Sequence, residues 1–150
     1  MPSQIKVDEI KNVAGQYKIK TNVFEGQTTA GSITVQGEGS NTTNLQQGLL
    51  KVWFALNCDG TPANRDSFNV STVTDNTTGD MTENFTNNMN NITYATSAMT
   101  GGTSGKYTEN INHYYVDNPC TTSSIRLAID YNNSLSDGER SSGQISGDLA

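Results

Sequence analysis

The residue types that carry most protein chemistry are scarce in this chain: one histidine, His113, and two cysteines, Cys58 and Cys120, among 150 residues. Nucleophilic catalysis needs a nucleophile held beside a base. His113 sits in Asn110-Ile111-Asn112-His113-Tyr114, and the chain has no Gly-x-Ser-x-Gly elbow. It reads as a surface or hydrogen-bonded histidine. Two sulfurs and one imidazole, without a Cys-x-x-Cys pair, lack the ligand number and local spacing of a structural zinc site. No metal and no cofactor is therefore expected. In a cytosolic setting the cysteines are expected as two thiols, although their spacing leaves a disulfide open. Asp66, Asp80, Glu83 and Glu109 could supply the carboxylate pair of a polysaccharide-cleaving enzyme, but spacing singles out no pair among so many acids. The acidic run from Asp130 to Glu139 has its glycine too late for a calcium-binding loop and reads as a turn. Gly101, Gly102 and Gly105 are not followed by a helix pattern, as a phosphate or dinucleotide loop requires. The expectation is a protein that binds, not an enzyme.

Binding chemistry is better represented. Tyr107, Tyr114 and Tyr115 lie among Ser, Gly and Asn, the mixture of adaptable contact surfaces, because tyrosine supplies area at small entropic cost. They are the candidate receptor-contact residues. Nine Lys and Arg against fifteen Asp and Glu leave a charge of −6, with no basic stripe for nucleic acid. The first twenty residues carry +2 and the remainder −8, an asymmetry suited to two ends that meet different partners. No apolar run approaches the roughly 18 residues of a membrane span, so no membrane insertion is expected. The opening Met1-Pro2-Ser3-Gln4 leads into Lys6 and Asp8 without a signal-like apolar region, so synthesis in a cytosol is expected.

The elements that must hold these residues are strands. Residues 1–47 read as an extended N-terminal attachment or oligomerisation segment. Ile5, Val7 and Ile10 are its candidate pairing residues, Tyr17, Ile19 and Lys20 and then Ile33-Thr34-Val35 mark further weak strands, and polar glycine-rich spacers lie between. Residues 48–150 read as an antiparallel β-sandwich, jelly-roll-like. Leu49 to Leu56 is a dense apolar run of strand length, expected to be covered on both faces with Trp53 in the core. Ser67 to Ser71 and Asp80 to Thr86 alternate and read as a hairpin around the turn residues Thr74 to Gly79. Ile92 to Ala98, Tyr114-Tyr115-Val116 and Ile125 to Tyr131 are further strands, the last with the clearest period of two. The expected core includes Leu50, Val52, Phe54, Phe68, Ile125, Leu127 and Ile129.

Composition adds a constraint on assembly. Thr, Asn, Ser and Gly make up 66 of the 150 residues, whereas Leu, Ile, Val and Phe make up 28. A core this lean gains by burying surface against identical neighbours, so a homo-oligomer is expected.

Three stretches then carry a resemblance: Gly48-Leu49-Leu50-Lys51-Val52-Trp53-Phe54; Gly60-Thr61-Pro62-Ala63-Asn64-Arg65-Asp66-Ser67-Phe68-Asn69-Val70-Ser71; and Thr74-Asp75 with Gly79-Asp80 leading to Asn84-Phe85-Thr86. Together they resemble a module of virion structural and tail-fibre proteins of aquatic, cyanophage-type bacteriophages. Ser123-Ser124-Ile125-Arg126 and Gly147-Asp148-Leu149-Ala150 are similar to its later landmarks, and Ile5-Lys6-Val7-Asp8-Glu9-Ile10 to the lead-in of such proteins. The resemblance implies a homotrimeric virion component without catalytic residues; with the N-terminal strand signals, the expectation is a short fibre or spike whose virion-attachment residues are Ile5, Val7 and Ile10. Its partners would be capsid or tail proteins and a host-surface glycan or protein. A capsid decoration protein is the alternative. Glu83 departs from the family, which tends to place an apolar residue there, and this implies a sheet edge or a wet interface for that strand.

Overall fold

The computed structural model describes residues 23, 33–36, 40–101, 110–114 and 119–150. Ile5, Val7, Ile10, Tyr107 and Tyr115 lie outside the described residues, as does most of segment 1–47.

The protein is an all-β sandwich of antiparallel sheets. β1 (Thr34–Gln36) and β2 (Thr42–Asn44) form a small ribbon, followed by a one-turn helix, α1 (Leu45–Gly48). Sheet I holds β3 (Leu50–Asn57), β4 (Ala63–Phe68), β7 (Ala95–Gly101) and β11 (Arg140–Ser146) in the order β4-β3-β11-β7. Sheet II holds β5 (Val70–Thr77), β6 (Asp80–Phe85), β9 (Ser124–Tyr131) and β10 (Ser134–Leu135) in the order β5-β6-β9-β10, with β8 (Asn110–His113) also paired to β9. The first and last strands of the sandwich pair with each other, β3 with β11, and the middle pair β6 with β9 nests inside them. That nesting is the winding of a jelly roll.

Period-two alternation decides which side chains meet between the sheets. Sheet I contributes Val52, Phe54, Leu56 and Ile145, and sheet II contributes Met81, Phe85, Ile125, Leu127 and Ile129. Met89 and Tyr94, from the connection into β7, close one end, where the Phe85 and Tyr94 rings meet edge to face at 6.0 Å. The Tyr94 hydroxyl donates to the carbonyls of Ser124 and Thr121 at 2.9 and 3.1 Å, so its burial leaves no unmet donor. In sheet I, Gly143 lies opposite Phe54 in register, and a Cβ there would stand 2.3 Å from the ring. The ring occupies the space that a side chain on β11 would need.

Positive φ marks the corners. Gly79 (φ 66) turns β5 into β6, with its N–H donating to Asp137 Oδ1 at 2.7 Å and its carbonyl accepting from Ile129 at 2.7 Å. Asn69 (φ 58) is where the chain leaves sheet I for sheet II, and Asn132 and Asn133 (φ 51 and 63) make the β9–β10 turn. Asparagine tolerates this region better than other side chains.

Several expectations are corrected. β3 is covered on one face only, and Trp53, expected in the core, lies half-buried on the outer side. Leu50 and Phe68 are not core: they are 41 % and 51 % exposed. The expected hairpin exists, but its first strand begins at Val70, because Ser67 and Phe68 belong to β4 in the other sheet. Of the strand expected at Tyr114-Tyr115-Val116 only Tyr114 is described, directly after β8 (Asn110–His113), and Tyr115 and Val116 lie outside the described residues. Glu83 is neither at an edge nor wet: β6 runs between β5 and β9, and Glu83 is 0 % exposed.

Candidate functional site

The outward side chains of the two sheets differ in chemistry. On sheet II, β6 turns Asp80, Thr82 and Asn84 away from the core, β9 turns out Ser124, Arg126, Ala128 and Asp130, and β5 adds Thr72 and Thr74. Asn112 and Tyr114 extend the face at β8, where the Tyr114 N–H donates to the Arg126 carbonyl at 3.1 Å.

Arg126 is the centre of this face. Its Nε and Nη2 donate to the two carboxylate oxygens of Asp80 at 2.8 and 2.5 Å. Its guanidinium lies 4.2 Å from the centroid of the Tyr114 ring. Asp80 is 1 % exposed, so bidentate pairing answers the cost of a carboxylate out of water. The Asp80 hydrogen bond is also the main reason the guanidinium pKa is raised, with desolvation opposing it and the Asp80 charge adding to it. Asn76 Nδ2 donates to Asp80 Oδ1 at 3.1 Å and to Thr82 Oγ1 at 3.0 Å, and Asn84 Nδ2 to Thr74 Oγ1 at 3.0 Å. The result is a flat polar platform whose amides are held in fixed orientations. Of the candidate contact residues, Tyr114 is placed on it. Asp80 and Arg126 were not singled out as binding residues, because they lie 46 positions apart and only the β6–β9 register unites them.

Sheet I presents the opposite chemistry. Trp53 and Phe68 are cross-strand partners on its outer side, next to Leu49 and Leu50, around a shallow hollow of about 530 Å³. A second hollow of about 420 Å³ follows across β11, lined by Trp53, Ala55, Met99, Ser142 and Gln144. Met99 on the edge strand β7 is 74 % exposed. Large apolar side chains grouped on one sheet face mark a contact surface better than the same residues scattered.

The reactive groups remain apart. Cys58 and Cys120 are both free thiols. Cys58 is buried, its Sγ donating to Met81 Sδ at 3.0 Å, and its pKa is pushed up to about 12 by burial first, then by the charges of Asp137, Glu83 and Asp75. Cys120 Sγ stands 3.8 Å from His113 Nδ1 at a part-exposed site. Among the described residues no three His, Cys, Asp or Glu side chains are grouped to hold a metal ion. In the native state, iodoacetamide is expected to label Cys120 while Cys58 reacts about a thousandfold more slowly than an ordinary thiol, from its thiolate fraction alone. Peptide mass spectrometry reads this, and equal labelling of both cysteines would contradict the placement of Cys58.

Two outer faces, one apolar around Trp53 and one polar around Arg126, are therefore the surfaces on which function can rest. Compared with known protein families, curated proteins and solved structures, the chain matches none.

Proposed function

We propose that this chain is a bacteriophage virion structural protein, a short homotrimeric fibre or spike attached through its N-terminal segment, with the outer sandwich facing the host surface. The observation that carries the reading is the pairing of two unlike outer faces on one sandwich. The apolar face of sheet I, with Trp53 and Phe68, suits burial against copies of the same chain. The polar face of sheet II, with Tyr114 stacked on Arg126 among fixed amides and hydroxyls, suits hydrated ligands such as a surface glycan. This is a binding and structural role, assembled in the host cytoplasm and ending in the virion. The lean apolar composition supports the same conclusion.

The alternative reading is a capsid decoration protein, for which a compact two-sheet sandwich suits a module seated on a capsid lattice. Quantitative mass spectrometry of purified particles separates the two. A decoration protein scales with the major capsid subunit, and a spike occurs in few copies. Absence of the chain from particles overturns both.

Assembly has its own test. Light scattering of the purified chain at micromolar concentration is expected to give a trimer, and Trp53→Ser with Phe68→Ser is expected to give a folded monomer. A monomeric wild type would remove the role assigned to the apolar face. So would a double variant that still assembles.

A further inference from the structure

Glu83 stands where the alternation of β6 calls for an apolar residue, between Met81 and Phe85 on the face turned into the sandwich. Its neighbours in register are Val73 on β5 and Ile125 on β9. Its one side-chain hydrogen-bond partner among the described residues comes from the opposite sheet: Asn64 of β4 donates from Nδ2 to Glu83 Oε2 at 2.8 Å. Among the described residues the remaining oxygens of the pair, Glu83 Oε1 and Asn64 Oδ1, are both buried without a hydrogen-bond partner. An ionised carboxylate only accepts, so it leaves these two buried acceptors unmet. A proton on Oε1 turns one of them into a donor and offers the other a bond. Acid and amide are then complementary, each giving one hydrogen and taking one.

We propose that Glu83 and Asn64 form a protonated acid–amide latch that pins β6 of sheet II to β4 of sheet I, and that loss of this single proton opens the latch.

The surroundings favour the neutral form. The charges that act with Glu83 on the neighbouring Cys58 thiol after β3 are acidic too, Asp137 in the loop before β11 and Asp75 on β5. The cations on the packed elements are engaged elsewhere. Arg65 of β4 reaches Glu139 at 3.9 Å, Arg126 of β9 points outward to Asp80, and Lys51 of β3 donates to the Leu49 carbonyl. The acids Asp66 on β4 and Asp130 on β9 accept bonds from Ser67 N–H and Asn112. No ion pair therefore offsets a charge on Glu83 among the described residues. Burial raises its pKa from 4.5 to about 7, and the Asn64 hydrogen bond opposes this by a smaller amount. The sign follows: a folded-state pKa above the unfolded one adds stability that is complete below about pH 4.5 and is lost as pH rises through about 7. The opening side of the latch is the β4–β5 seam, where Pro62, Asn64, Ser67, Val70 and Val73 already line a hollow of about 360 Å³.

The inference is independent of the virion reading, and nuclear magnetic resonance of the full wild-type chain tests it directly. The Glu83 carboxyl carbon is expected to titrate with a midpoint within about a unit of 7, and the Asn64 side-chain amide protons should shift at the same midpoint. Urea unfolding gives the second readout. Relative to Glu83→Gln, the wild-type folding constant should fall about a hundredfold between about pH 5 and about pH 9. A Glu83 midpoint below about 5, or a titration that leaves Asn64 unmoved, overturns the latch. A Glu83→Gln variant with the same pH slope as wild type does so too. If that variant does not fold, the wild-type titration alone decides.

Discussion

Phe54→Ala is expected to lower the unfolding free energy by about 3 to 5 kcal/mol, the upper part of the range for buried aromatic truncations. The reason lies beneath the ring. Phe54 is packed onto the bare backbone of Gly143, whose missing side chain is the space the ring fills. When the ring is removed the void can close only if β11 moves, and β11 is held in register by β3 on one side and β7 on the other. A site that collapses poorly shows the full cavity penalty. The mirror substitution, Gly143→Ala, should also destabilise, by about 1 to 3 kcal/mol, because it forces the ring off its position. Equilibrium urea denaturation measures both. A Phe54→Ala loss below about 1 kcal/mol would mean that the ring is not the centre of the sheet I core.

Gly79→Ala is expected to cost at least about 3 kcal/mol, from a left-handed backbone and a collision that cannot relax. A Cβ at Gly79 would stand 2.5 Å from both the Ile129 carbonyl oxygen and the Ser136 amide nitrogen. Both are backbone atoms, joined to each other by the Ser136 N–H to Ile129 carbonyl hydrogen bond of 3.0 Å, so no side-chain rotation can make room. Gly60 supplies the control. Its φ is 80 but nothing lies within 4 Å of an added Cβ, so Gly60→Ala should show the conformational cost alone, about 1 to 2 kcal/mol. Equal losses at the two glycines in thermal or urea unfolding would show that crowding at the β5–β6 turn contributes nothing.

How much of this could be read without coordinates depended on what each residue had for neighbours. β9 was legible because Ile125, Leu127 and Ile129 alternate strictly with polar residues, so strand and inward face are one signal. β3 was legible as a strand, but its eight-residue apolar run hid which phase faced inward, and Trp53 was assigned to the wrong side. Arg140–Ser146 carries a single large apolar residue, Ile145, and no alternation to notice. It is a strand because its small residues fit between two existing strands and beneath Phe54, a tertiary reason invisible locally. Glu83 stood out as a polar residue in an apolar phase, yet burial was not foreseen because its partner, Asn64, comes from the other sheet. The Asp80–Arg126 centre had no sequence signal beyond two charges in the polar phase of their strands.

The position of β11 also sets the order in which the molecule can be made. β7 has no sheet partner except β11 among the described strands, and β3 keeps an open side until β11 arrives. As the chain is synthesised from its N-terminus, the β3–β4 and β5–β6 hairpins can close early because their partners are local. Sheet I cannot. Its inner apolar row of Val52, Phe54 and Leu56 stays uncovered on the β11 side until Arg140–Ser146 has been made. Closure of the sandwich is thus a late, non-local step, the kind that slows folding and leaves nascent chains prone to mispairing with one another.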